Sequence, residues 1–153
     1  MKDAMDLAIK QADITMSLDI GGPFGAAVVG NNGMIIAVAS NTVLGDNDPT
    51  AHAEINAIRQ ACKKLGTYDL TGCVLYATGY PCPMCMSAII WANIKTVYFC
   101  NTVEEAEQIG FRDDFIYSFL SNPDNDTLNL IHLPDTNGKD LYCKYKAMNK
   151  IIY

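Results

Sequence analysis

Two short stretches of the chain carry side chains able to hold and use a metal ion: Thr50-Ala51-His52-Ala53-Glu54 and Pro81-Cys82-Pro83-Met84-Cys85. Together they offer an imidazole, a carboxylate and two thiols. Cys82 and Cys85 stand three apart, so the first turn of a helix places both sulfurs on one face. A helix start also carries the positive pole and unpaired N–H groups, which favour thiolates. Pro81 suits such a start, because its missing N–H would be orphaned there anyway. Three protein ligands are what a catalytic zinc takes, leaving a fourth position for water. Two thiolates and a neutral imidazole also balance the charge of the ion. Glu54 can be a ligand on spacing alone, but three ligands already suffice. We therefore read it as the acid/base beside the metal's water, whose pKa zinc lowers to about 7. A carboxylate within hydrogen-bond reach can take that proton and deliver it to a leaving amine.

Other readings of the same residues exist. A lone Cys-x-x-Cys can be a redox pair or half of a structural zinc site. A second proline, Pro83, between the cysteines and the waiting His-x-Glu argue against redox. A structural site wants a fourth Cys or His, and His132 is the only other histidine. Flanked by Ile131 and Leu133, His132 reads as a structural or surface residue. A catalytic zinc is the preferred reading and a non-catalytic, zinc-stabilised module the alternative. Cys62, Cys73, Cys100 and Cys143 read as small apolar residues.

Stepping outward, helical spacing over 3–18 gives an amphipathic helix, broken by Gly21-Gly22-Pro23. Ala26–Val29 and Met34–Ala39 flank Gly30-Asn31-Asn32-Gly33, a hairpin signal. Asn41–Pro49 is polar and reads as loop. Thr50–Leu65 is helical, with Thr50 or Asp48 as its cap and Gly66 as its end. Cys73–Thr78 reads as strand, Pro81–Asn93 as helix, and Lys95–Cys100 as strand. Val103–Ile109 and Asp113–Leu120 read as short helices around Gly110. Leu128–Leu133 is the fifth expected strand, and Gly138–Lys150 the last helix. This alternation predicts one α/β domain, a mixed sheet with helices on both faces.

The chain has 153 residues, half of them apolar and 18% charged, which is material for one core and too little charge for disorder. No apolar run is long enough to span a bilayer, and the start lacks the form of a secretory leader. We expect a cytoplasmic protein with free thiols and no membrane partner. The formal charge of −6 leaves no whole-chain basic footprint, so nucleic acid is not the expected partner.

His-x-Glu followed by Pro-Cys-x-x-Cys resembles the cytidine deaminase superfamily, whose zinc members deaminate nucleobases. The likeness runs over nearly the whole chain and implies a three-layer α/β/α fold around a five-stranded mixed sheet. Within the superfamily the chain is similar to the guanine deaminase branch. It shares Gly21-Gly22-Pro23-Phe24-Gly25-Ala26, Asn47 to Glu54, Ile90-Trp91-Ala92, Gly110 to Tyr117, and the C-terminal Asn149-Lys150-Ile151-Ile152-Tyr153. That resemblance implies hydrolysis of guanine to xanthine and ammonia with one zinc per subunit. It makes His52, Cys82 and Cys85 the zinc ligands and Glu54 the proton shuttle. It makes Asn41 a hydrogen-bond partner of the purine, and places Phe24, Ala53 and Trp91 around the base. Asp113, or Asp114 one position on, becomes the carboxylate that recognises guanine and shares proton transfer, and Tyr153 a residue that closes the site, with Asp113 and Tyr153 able to serve the neighbouring subunit's zinc. It further implies a homodimer in which the segment from about 110 to 153 is exchanged between subunits. Two positions depart from the pattern: Tyr80 stands where the family commonly has Glu, and Arg112 adjoins the recognition acid. They keep open another base as substrate, namely guanosine, a triazine analogue or adenosine in tRNA.

Overall fold

A computed structural model describes residues 2–133 and 138–152. The chain forms two compact units, residues 1–117 and 118–153. The first holds α1 (Lys2–Ser17), β1 (Gly25–Val29), β2 (Ile35–Ser40), α2 (Val43–Asp46), α3 (Ala53–Leu65), β3 (Val74–Gly79), α4 (Pro83–Trp91), β4 (Thr96–Asn101) and α5 (Val103–Gln108). α6 (Asp114–Ser121) begins in it, and α7 (Gly138–Ala147) belongs to the second unit.

The sheet runs in the order β2-β1-β3-β4. β1 pairs antiparallel with β2 and β3, whereas β3 and β4 are parallel. The opening hairpin forms where its Gly-Asn-Asn-Gly turn lies. Gly33 N–H donates to the Gly30 carbonyl at 2.9 Å, and Met34 N–H donates to Asn32 Oδ1 at 3.1 Å. Neighbouring β1 side chains point to opposite faces. Ala26 and Val28 pack in a cluster with Ala53, Ala57 and Ala61 of α3 and Ile89 of α4. Ala27 joins Ala4 and Ala8 of α1 on the other face. Alanines on both elements let α1 and α3 lie close to the strands, which makes the first unit a three-layer α/β/α sandwich.

The five-strand expectation needs correction. The sheet has four strands, and residues 128–133 form none. Their apolar composition gives a preference for extended structure, but a strand exists only as part of a hydrogen-bonded ladder. In the second unit they follow a turn in which Asp124 accepts from the Thr127 N–H and hydroxyl at 2.7 and 3.0 Å. The stretch read as loop also contains the single turn α2.

Candidate active site and metal centre

The two helices that carry the metal-binding residues are each capped by a candidate ligand. His52 is the N-cap of α3, with extended backbone at φ −69° and ψ 155°. Cys82 holds the same place on α4, at φ −67° and ψ 168°, with Pro83 opening the helix. The expected caps Thr50 and Asp48, and the expected opening at Pro81, are thus each displaced by a few residues. Neither side chain is used as a helix cap, and the imidazole and the thiol are aimed at each other. Cys85 sits in the first turn of α4 and is fully buried. Both sulfurs lie 3.6 Å from His52 Nδ1, and the three ligand atoms all fall within 4.8 Å of one another.

This spacing fits zinc. A tetrahedral centre with ligands at about 2.3 Å for sulfur and about 2.0–2.1 Å for nitrogen sets a sulfur and a nitrogen about 3.5–3.6 Å apart. Of the three ligands, only Cys82 is already biased towards its deprotonated, ligating form, and the other two hold the protons. The thiol of Cys85 donates to Cys82 and, with the imidazole, pulls Cys82 down to about 4 against the burial that opposes it. Cys85, the donor, is held high by the same bond. The hydrogen bond that its ring N–H donates to the Cys82 sulfur raises His52 above its usual value. A bound cation displaces such protons.

Glu54, in the first turn of α3, is 8% exposed. Burial raises its carboxyl above the usual range, and the charge of Cys82 adds to the effect. The loop before α3 is tied down by Asn56, whose Nδ2 donates to the Ser40 carbonyl, Thr42 Oγ1 and the Ala51 carbonyl at 3.0, 2.9 and 3.3 Å. That loop carries Asn41, which is buried. Its Oδ1 accepts from Gly22 N–H at 3.3 Å and Val43 N–H at 3.2 Å. With the oxygen occupied on the protein side, Nδ2 is the group that Asn41 has to offer a ligand.

A cavity of about 630 Å³ opens onto His52, Glu54 and Cys82, with Phe24, Asn41 and Asp113 on its walls. All six lie in the first unit, so Asp113 faces the metal-ligand set of its own chain. Burial raises Asp113, and the negative charge of Cys82 raises it further. The structure does not bring Ala53 or Trp91 to this cavity. The Ala53 side chain is packed into the core below α3. Trp91 is 74% exposed at the far end of α4, about 12 Å along the helix from Pro83 at 1.5 Å per residue. Tyr153 lies outside the described residues. Tyr80, Phe111 and Arg112 line the cavity as well. Sequence reasoning gave Phe111 no role, and its one signal was an aromatic beside a glycine in an otherwise polar turn. Arg112 is spoken for: its guanidinium makes a two-pronged bond to Asp114 at 3.1 and 2.8 Å and lies 3.7 Å from Glu107.

Residues 1–101 match the family model for the cytidine and deoxycytidylate deaminase zinc-binding region. Guanine deaminase of Bacillus subtilis (strain 168) is 52% identical over 104 residues, 68% of this chain and 66% of that protein. A tRNA-specific adenosine deaminase of Aquifex aeolicus is 48% identical over 77 residues, half of each chain. The aligned stretch thus spans about two thirds of the first relative and half of the second. The crystal structure of guanine deaminase from Bacillus subtilis superposes with a TM-score of 0.93, at 40% identity over 99% of this chain and 98% of that one.

Proposed function

We propose, for a chain that belongs to the zinc-binding cytidine and deoxycytidylate deaminase family, that its reaction is the hydrolytic deamination of guanine to xanthine and ammonia. The observation that carries this reading is one cavity onto which His52 and Cys82 of the metal-ligand set, Glu54, Asn41 and Asp113 all open, with Cys85 buried behind them. Likeness to guanine deaminase over nearly the full length adds to it. Zinc held by His52, Cys82 and Cys85 supplies a Lewis acid that makes water a usable nucleophile at neutral pH. Asn41 Nδ2 donates to an acceptor on the base, its direction fixed by the two backbone N–H groups on Oδ1. Asp113 accepts from the N–H groups that guanine carries on the edge that reacts. Glu54, buried with a raised carboxyl, takes a proton from the water and passes it to the departing amino nitrogen. Phe24 walls the planar ring and helps to exclude water. The net change is one water consumed and one ammonia released.

Ammonia release by zinc-loaded enzyme, measured on guanine, guanosine, adenine and cytosine, tests the reading. Turnover of guanine above the other three is expected. No release from guanine at full zinc occupancy would sink it.

The assembly belongs to the same proposal. The chain forms a cytoplasmic homodimer with an exchanged C-terminal segment, expected from about residue 110 and here begun after Tyr117 because Asp113 lines the cavity of its own chain, which brings Tyr153 over the partner's cavity and Trp91 of one subunit into reach of the other's base. Three features support this. β4 is an edge strand with Tyr98 and Phe99 exposed. Leu130, Ile131 and Leu133, apolar residues of the second unit, are exposed. All six cysteines are free thiols, as a reducing compartment requires. Mixing Glu54→Gln subunits with Tyr153-deleted subunits is the test. An inactive Glu54→Gln subunit that lends its tail returns the raised KM of the other's site to the wild-type value. No recovery despite proven mixing argues against the exchange.

A further inference from the structure

Phe24 and Phe111 meet inside the cavity with ring centroids 4.9 Å apart and planes 87° apart. Edge-to-face contact is a preferred geometry for two aromatic rings and fixes their relative planes. Both edges of the Phe24 ring are bounded by glycine. A Cβ built on Gly22 would lie 3.1 and 3.2 Å from Cδ2 and Cε2, and one on Gly79 would lie 3.4 Å from Cδ1 and Cε1. The Gly22 Cβ would also stand 3.0 Å from Phe111 Cζ. A side chain at Gly22 therefore cannot coexist with this pair unless a ring moves. Gly22 is coupled to Asn41 too, through the N–H bond to Oδ1.

The other end of the pair is fastened to the segment that carries Asp113. Phe111 follows Gly110, whose φ of +96° turns the chain out of α5. The Phe111 N–H closes that turn on the Ala106 carbonyl at 3.1 Å. Two residues later Asp113 lines the same cavity. Phe111 thus stands between the aromatic wall and the acid, in contact with one and covalently close to the other.

We propose that Phe111 is a substrate-positioning and specificity-determining residue. It holds the plane of Phe24 and sets the width of the slot that accepts a planar base, with Gly22 providing the space the two rings need. The inference rests on the guanine deaminase reading, and wild-type turnover of guanine, measured in parallel, separates failure of that reading from failure of this one. Steady-state kinetics on zinc-loaded Phe111→Ala, Phe111→Leu, Phe111→Tyr and Gly22→Ala enzymes test it. Phe111→Ala and Phe111→Leu are expected to raise KM for guanine by about 3- to 10-fold, the scale of an aromatic pair, with a smaller fall in kcat. Phe111→Tyr, which keeps the ring, restores KM, and Gly22→Ala reproduces the loss. Zinc content and Tm serve as the structural readouts and stay near wild type in Phe111→Leu. A wild-type KM in Phe111→Leu overturns the proposal, because an apolar filler would then do as well as a ring. So does a loss in Phe111→Ala that follows a fall in Tm or zinc content and is not rescued by tyrosine.

Discussion

The two sides of the cavity are built from different material. The metal side stands on the starts of α3 and α4, two helices whose buried faces join one core cluster over the sheet. Cys85 and Glu54 are buried there, and Asn56 fixes the approach to His52 with three hydrogen bonds. The recognition side, residues 103–117, is mostly exposed. It is held by the capping box of Thr102 and Glu105, the turn at Gly110 and the Arg112–Asp114 clasp. Exposed ion pairs of that kind contribute only about 0–1 kcal/mol. On the proposed roles, the difference teaches that the bond-making groups share the stability of the core, while Asp113 and Phe111 sit on a surface segment that can change without unfolding the protein. Lesions on the metal side should destroy the reaction, and lesions on the recognition side should tune it.

The largest effect is expected at the metal. Cys85→Ala removes a buried ligand, so zinc stoichiometry by atomic absorption and turnover should both fall to background. Activity retained with zinc absent would erase the distinction between the two sides. Next comes Glu54→Gln, which keeps the shape and cannot accept the proton. Turnover should drop by at least ~10²-fold with zinc retained, the scale of a positioned acid–base group. Loss of zinc along with activity would move Glu54 into the ligand set.

Asp113→Asn probes the opposite wall. A fall of about 10- to 100-fold in kcat/KM for guanine is expected, since hydrogen bonds to charged groups contribute ~1.5–3 kcal/mol. The same variant has a stability signature. Burial raises Asp113 in the folded state, so the native protein binds the proton more tightly than the unfolded chain does. That contribution is fully present below the unfolded carboxylate value and is lost as pH rises through the raised folded value. The Tm of wild type relative to Asp113→Asn should therefore decline with rising pH across that interval. A difference that grows with pH would reverse the assigned direction. The smallest effect is expected from deletion of Tyr153: a modest rise in KM with zinc content and Tm unchanged. Unaltered kcat/KM would remove the tail from the site.

The metal side was legible in the sequence because its chemistry is local. His52 and Glu54 are two residues apart, Cys82 and Cys85 three, and each pair opens a helix whose start is marked by proline or by a change of periodicity. The helix caps shifted by a few residues because His52 and Cys82 take extended backbone themselves, a feature that periodicity does not report. Leu128–Leu133 failed as a strand for a non-local reason: its apolar residues favour extended chain, but a ladder needs a neighbour that composition does not name. The motif around Trp91 sets it next to a base, yet within one chain α4 ends away from the cavity, so that role rests on the proposed dimer. Phe111 went without a role because its contact with Phe24 joins residues 87 positions apart in sequence.

The central claim is that this cavity selects guanine and releases its amino group. Presenting zinc-loaded enzyme with an equimolar mixture of guanine, adenine and cytosine, and following each base by chromatography, tests it most directly. The account predicts that guanine is consumed first, with xanthine and ammonia appearing in equal amounts. Preferential loss of adenine or cytosine, or guanine untouched at full zinc occupancy, would contradict it.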